Sequence, residues 1–346
     1  IIDRAPVMVT APEETSKEKG SKNKNVKKDD KEGQFTPEDL EDYFFNPDQV
    51  IPRTERYIKN TYWAGESIPV SYPVSIFLVA ILANYLGAPL KFIDKNTAWS
   101  EPIIEDWEQK PELAFNRENK WWLKSKKLLE AAAARARGKY YVVNPDLNGP
   151  GEILSRLRGE DKLAMDTIEN KEQIKKSLPK INQAWYRYWQ ACNGVVHQHI
   201  GGYIFWMGIW SDIQAVDLQC DFSIMKSSDS FDELILPSIR QQTEWIQRTI
   251  YHLDGPGATR HLDSLLSLEK LDAIQWIPGA GAPPVSEWIS LLKKIQEAGK
   301  LVYVPVEKDE VKILLKKLNP EGLLMKTRCE SKKEADQLLA DVKKWT

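Results

Sequence analysis

The C-terminal third of the chain repeats one unit: a short apolar run, an abrupt polar or Gly/Pro-rich turn, and a stretch of helical period. The runs end near His252, Trp276, Val304 and Lys326, so successive ends lie 24, 28 and 22 residues apart. Each gap is long enough for one crossover helix. Residues 287–298 put Trp288, Leu291, Leu292 and Ile295 on one face and stop at Gly299. Residues 309–318 form the next helix. Ser331 and Glu334 then make a capping-box pattern ahead of the stripe Ala335, Leu338, Leu339, Val342 and Trp345. Strand, helix and parallel strand in strict alternation define an α/β protein.

Upstream the same grammar is readable with longer interruptions. Residues 5–10 read as a first strand, 90–93 as a second and 139–144 as a third, with a further strand region within 203–220. Helical patterns cover residues 37–43, 74–86, 119–138, 172–192 and 231–249. With the four C-terminal strands the count reaches eight. Eight strand–helix units need about 250 residues, which leaves a surplus for insertions. The expected fold is therefore a closed (β/α)8 TIM barrel forming one domain over residues 1–346, with an open doubly wound sheet as the alternative. Residues 16–33 carry seven lysines against four acids and almost no apolar side chain, the composition of a solvated, mobile insertion.

Composition narrows the function classes. Forty-eight basic and fifty acidic residues leave a formal charge of −2, which disfavours a polyanion-binding surface, so nucleic acid is not an expected partner. The longest apolar stretch, residues 76–86, is too short to span a bilayer and contains Asn84. No secretory leader is read before the first strand. Three cysteines, Cys192, Cys220 and Cys329, suit a reducing cytoplasm better than a disulfide framework. Thirteen tryptophans include several beside expected strand ends, Trp206, Trp210 and Trp276 among them. Such rings suit the wall of a pocket for a flat or amphipathic ligand.

The chemistry-bearing run is Tyr251-His-Leu-Asp-Gly-Pro-Gly257. His252 and Asp254 are two apart, so on an extended strand they point to the same side. Parallel α/β folds place their chemistry at the carboxyl ends of the strands, where this pair sits. Asp221 and Ser223 close the presumed fourth-strand region, Asn144 and Asp146 the third. Gln275 alternates with Trp276, so one of the two faces inward. His197 and His199 form another two-apart pair, and Glu307 follows the seventh strand. Gly255-Pro-Gly257 and Gly279-Ala-Gly281 lack dinucleotide or P-loop spacing and read as tight turns at a pocket rim.

Several segments resemble the uroporphyrinogen decarboxylase superfamily: Gln219-Cys-Asp-Phe-Ser223, Phe231-Asp-Glu-Leu-Ile-Leu-Pro237, Tyr251 to Gly257 and Ile274-Gln-Trp-Ile-Pro-Gly279. Asp146-Leu-Asn-Gly-Pro150, Leu157-Arg-Gly-Glu160 and Asp166 fit the same pattern, so the resemblance spans most of the chain outside residues 16–33. It implies a (β/α)8 barrel with its active site at the C-terminal mouth. It also implies one of two chemistries: cofactor-free decarboxylation of uroporphyrinogen, or zinc-dependent methyl transfer between a corrinoid and a thiol.

The decarboxylase branch has an N-terminal arginine-rich segment for the substrate carboxylates, and only Arg4 lies near the first strand here. The methyltransferase branch has a His-x-Cys strand end and a distant Cys as zinc ligands. His252 matches that His, Asp254 stands at the Cys position, and Cys329 follows the last strand. All three residue types are competent zinc ligands. The resemblance thus implies His252, Asp254 and Cys329 as a metal set. Asp221, at the end of its strand region, is a candidate catalytic group from its position, with structural capping as the alternative.

The leading expectation is a methyltransferase moving a methyl group between a corrinoid, free or carried by a corrinoid protein, and a small acceptor. Asn144, Asp146, Trp210, Gln275 and Trp276 are the expected substrate-binding residues. Zinc is the expected cofactor and a homodimer the expected assembly. A decarboxylase using Asp221 or Asp254 for proton handling is the second reading. A non-catalytic, aromatic-lined binding barrel is the third.

Overall fold

The computed structural model describes residues 4–13 and 35–346. The charged segment 16–33 lies outside the described residues. The strands in chain order are β1 (Val7–Pro12), β2 (Thr61–Gly65), β3 (Val70–Ser71), β4 (Leu90–Phe92), β5 (Ala98–Ser100), β6 (Tyr141–Val142), β7 (Tyr203–Ile204) and β8 (Trp210–Ser211). They continue with β9 (Ala215–Gln219), β10 (Arg248–Asp254), β11 (Ala273–Ile277), β12 (Leu301–Pro305) and β13 (Leu323–Arg328).

A seven-stranded sheet in the order β2-β1-β13-β12-β11-β10-β9 forms the centre. Every pairing in it is parallel except β1 with β2. The C-terminal cadence is therefore observed as read: β10 to β13 are successive neighbours, each followed by a helix. Alternate residues divide cleanly. Val216, Leu218, Tyr251, Leu253, Ile274, Trp276, Val302 and Val304 pack into the main core with the helices. Met8, Ala215, Ile250, Ala273 and Tyr303, on the other face, form a second apolar cluster with Phe205 and Met207. Fully burying one such aliphatic side chain contributes about 1.5–3 kcal/mol, so both faces are strongly held.

A parallel pair, β3–β6, stands apart from this sheet in the hydrogen-bond pattern. The chain after β6 nevertheless abuts the β9 edge. Gln219 Nε2 donates to both oxygens of Asp146, at 3.1 and 2.9 Å. A side chain at Gly149 would put its Cβ 1.8 Å from the Gln219 carbonyl oxygen, so only glycine permits the approach. At the other side, the hairpin of β7 and β8 brings Gly208 close to Met8 of β1 and Tyr72 after β3. The layout is compatible with a (β/α)8 barrel, although no ladder joins β6 to β9 or β3 to β1 among the described residues.

The N-terminal half differs from the reading of the sequence in three places. Residues 90–93 are not a central strand: β4 pairs antiparallel with β5. The Asp94 carboxylate accepts from Asn96 and Thr97 N–H at 2.6 and 2.9 Å and turns the chain back on itself. The second parallel strand is instead β3, two residues long and bounded by Pro69 and Pro73. The apolar run 74–86 is helical only over Ile81–Tyr85. Ala80 ahead of it is left-handed (φ 59°), and its N–H donates to Asn148 Oδ1 at 2.8 Å. No described helix is long and apolar enough to cross a membrane.

Candidate metal centre

Asp221, His252 and Asp254 converge at the carboxyl ends of β9 and β10, each offering a ligand atom within 4.8 Å of the others. Strand register explains the convergence. His252 is paired with Gln219 on one side and Gln275 on the other, so the three side chains stand in one row on the inner face. Asp254 is one step further along the same face, and Asp221 follows β9 after a single residue.

The imidazole is fixed from behind. Gln275 Oε1 lies 2.6 Å from His252 Nδ1 and can only accept, so Nδ1–H donates to it and Nε2 is the ring nitrogen left outside this bond. The Trp206 ring stands edge-to-face on the imidazole, with centroids 5.3 Å apart. Trp206 Nε1 in turn donates to Asp217 Oδ2 at 2.7 Å. The Asp221 turn is anchored through its neighbour: Phe222 N–H donates to Glu152 Oε2 at 2.9 Å. Glu152 is itself paired with Arg156 at 2.9 Å.

The surroundings are acidic. Burial pushes the carboxyls of Asp146 and Asp221 up, with His252 opposing the rise in both. Asp217 is buried and pushed well above the carboxylate range, first by burial and then by the charge of Asp146. Glu152 is also raised by burial, against the pull of Arg156. Neither the Asp221 nor the Asp254 carboxylate has a hydrogen-bond or ion-pair partner among the described residues. Two unpaired carboxylates beside an imidazole whose other nitrogen is already engaged form an O,O,N donor set. That set suits a divalent cation of intermediate hardness, zinc included.

The expected site residues divide into those brought together here and those placed elsewhere. Asp221, His252 and Asp254 form the cluster, Gln275 supports it, and Asp146 joins it through Gln219. Asn144 donates to Asn193 Oδ1 at 2.8 Å and is tied to helix Lys171–Ile200. Cys329 does not join His252 and Asp254. It is buried on the outer side of the sheet, beside Lys308, Lys312 and Glu334, because inner-face parity belongs to Lys326 and Arg328. Asp221 takes the third position that the sequence reading gave to Cys329. Trp276 also faces outward, fully buried against Trp288 with ring centroids 4.9 Å apart. Trp210 is on β8, at the opposite end of the sheet from His252.

Other candidates have structural duties. Glu307 caps helix Lys308–Lys317 in a reciprocal box with Glu310. His197 and His199 lie in the last turn of a helix, where a two-residue spacing separates the rings instead of aligning them. The buried Ser223 lends its carbonyl to His261 Nε2 at 2.9 Å. Sequence reasoning gave no role to Asp217 or Gln219. Their signal was available: two polar residues alternating in Ala-Val-Asp-Leu-Gln, a strand buried throughout.

The fold is similar to that of a methyltransferase from Methanosarcina mazei, with a TM-score of 0.59 over 88% of this chain and 89% of that one. Sequence identity is 12%, so the likeness concerns the fold. No protein-family model matches the chain. No curated protein matches it either.

Proposed function

We propose that the protein is a metal-dependent methyltransferase of the uroporphyrinogen decarboxylase superfamily, built on a (β/α)8 barrel whose wall β3 and β6 continue past the β9 edge. The reaction is transfer of a methyl group between a corrinoid, free or carried by a partner protein, and a small acceptor such as a thiol. The observation that carries this reading is the convergence of Asp221, His252 and Asp254 at the strand ends. The likeness to a methyltransferase fold supports it.

In this reading Asp221, His252 (through Nε2) and Asp254 hold the ion. A divalent cation there supplies a Lewis acid that lowers the pKa of an acceptor thiol. Gln275 keeps the His252 tautomer, and Trp206 limits the ring's freedom. Asp217, pushed well above the carboxylate range by burial and by Asp146, favours its protonated form and so limits the negative charge of the inner wall. The decarboxylase reading lacks the N-terminal arginine cluster: Arg4 is ion-paired with Glu66 at 2.9 Å and Arg156 with Glu152 and Glu160, which leaves Lys326 and Arg328 as the cations on the inner face of β13.

Metal analysis of the purified protein tests the reading. About one divalent ion per chain is expected, lost in His252→Ala, together with thiol-dependent demethylation of methylcobalamin. A folded wild-type protein that takes up no zinc, manganese or cobalt on reconstitution overturns the metal mechanism.

A further inference from the structure

A cavity of about 420 Å³ opens at the amino ends of the parallel strands, the end opposite His252. Its wall comes from the first residues of β9 to β13, from Pro6 ahead of β1, and from the hairpin that carries Phe205, Ile209 and Trp210. (β/α)8 interiors are ordinarily filled in layers by branched side chains. Here two of the inner-face positions at this end are small, Ala215 and Ala273, beside Arg248 and Leu301, and Gly322 lies just ahead of β13. Gly322 has φ +80°, and a Cβ there would meet Leu301 Cδ2 at 3.0 Å, so the position cannot readily acquire a filling side chain. The floor is the apolar cluster of Met8, Phe205, Met207, Ile250 and Tyr303, which separates the cavity from the acidic centre.

We propose that this cavity is a second small-molecule site, and that its ligand is uncharged, mainly apolar and of aromatic size. The volume lies within the roughly 300–1,000 Å³ of small-molecule pockets. The rim chemistry selects against charge. Its two ionic side chains, Arg248 and Asp272, are closed on each other at 2.8 Å, and Asp272 also accepts from Thr249 N–H at 2.8 Å. A charged ligand would have to break that pair or lose water without compensation. Two large apolar side chains at the opening, Trp210 and Leu301, remain 41% and 52% exposed, offering a ring face and an aliphatic edge for a flat guest. The site is independent of the metal reading, since it shares no residue with Asp221, His252 or Asp254.

Indole is a suitable neutral probe and benzoate its charged control, both titrated calorimetrically into the full chain. Saturable 1:1 binding of indole is expected, with benzoate at least tenfold weaker. Ala273→Phe fills the cavity and should weaken indole at least tenfold. Leu301→Glu sets a charge at the exposed rim, where folding tolerates it, and should do the same if the first variant does not fold. Zinc uptake should be unchanged in both. Absence of saturable indole binding, equal affinity for benzoate, or wild-type affinity in the folded variants would each overturn the proposal.

Discussion

The Trp206 indole donates to the Asp217 carboxyl at 2.7 Å while its ring stands edge-on to His252. One side chain thus joins a buried acid to the imidazole of the candidate centre. Burial raises the Asp217 pKa well above its ordinary value, so the folded state favours the protonated acid. The sign follows from linkage. The associated stability is complete below the unfolded pKa near 3.9 and declines as pH rises toward the folded value. Asp217→Asn keeps an acceptor for the indole and removes the ionisation. At pH 8 the variant should be more stable than wild type by about 1 kcal/mol, or roughly 2 °C in melting temperature, with a smaller difference at pH 5. A variant several degrees less stable at both pH values would mean that the charged carboxylate is required.

Gln275 is the positioning residue for His252, and its effect should appear in metal affinity. Partners of this kind typically change affinity 10–100-fold when removed. Gln275→Leu should weaken zinc by that order in a chelator competition, whereas Gln275→Glu, which still accepts from Nδ1–H, should recover most of it. Equal affinities across the three proteins would leave Gln275 a packing residue only.

His261 gives an independent pH signature. It is buried against Phe231 with ring centroids 4.2 Å apart, and Nε2 donates to the Ser223 carbonyl at 2.9 Å. Burial pushes its pKa below the ordinary value, with Arg260 adding to the depression. The unfolded chain therefore binds this proton more readily. Stability from the neutral ring is complete above about pH 6.5 and is lost as pH falls through the folded pKa. His261→Gln should have a shallower loss of melting temperature between pH 7 and pH 5 than wild type. An identical slope would show that other groups carry the acid sensitivity.

The parts of this architecture legible in the sequence are those whose information is local. β10 to β13 are five to seven residues long and sit in uninterrupted strand–helix units, so their spacing alone places them. β3 and β6 have two residues each, too few for any alternation to show. The pair His252 and Asp254 was visible because it lies on one strand. Its third member was not, because the choice between Asp221 and Cys329 depends on which face each strand end presents. Strand parity decides it: Lys326 and Arg328 share the inner face of β13, which turns Cys329 outward. The same argument separates Gln275 from Trp276, since His252 lies opposite Gln275 in register.

Glu152 tests whether the site depends on its scaffold. Its carboxylate accepts from Phe222 N–H, immediately after Asp221, and pairs with Arg156, which also bonds Glu160 at 2.7 Å and stacks over Trp99 at 4.3 Å. Glu152→Ala removes both functions. The cost of leaving a buried charge and a backbone donor without this partner is about 3–5 kcal/mol. Melting temperature should fall by at least about 5 °C. Glu152→Gln retains an acceptor for Phe222 N–H and should lose clearly less. Zinc affinity separates the two consequences. If the Phe222 bond positions Asp221, Glu152→Ala should weaken the metal about tenfold at a temperature where it remains folded, and Glu152→Gln should stay within a few-fold of wild type. Lower stability with unchanged zinc affinity in both variants would confine Glu152 to holding the helix Pro150–Arg158 against the strand end.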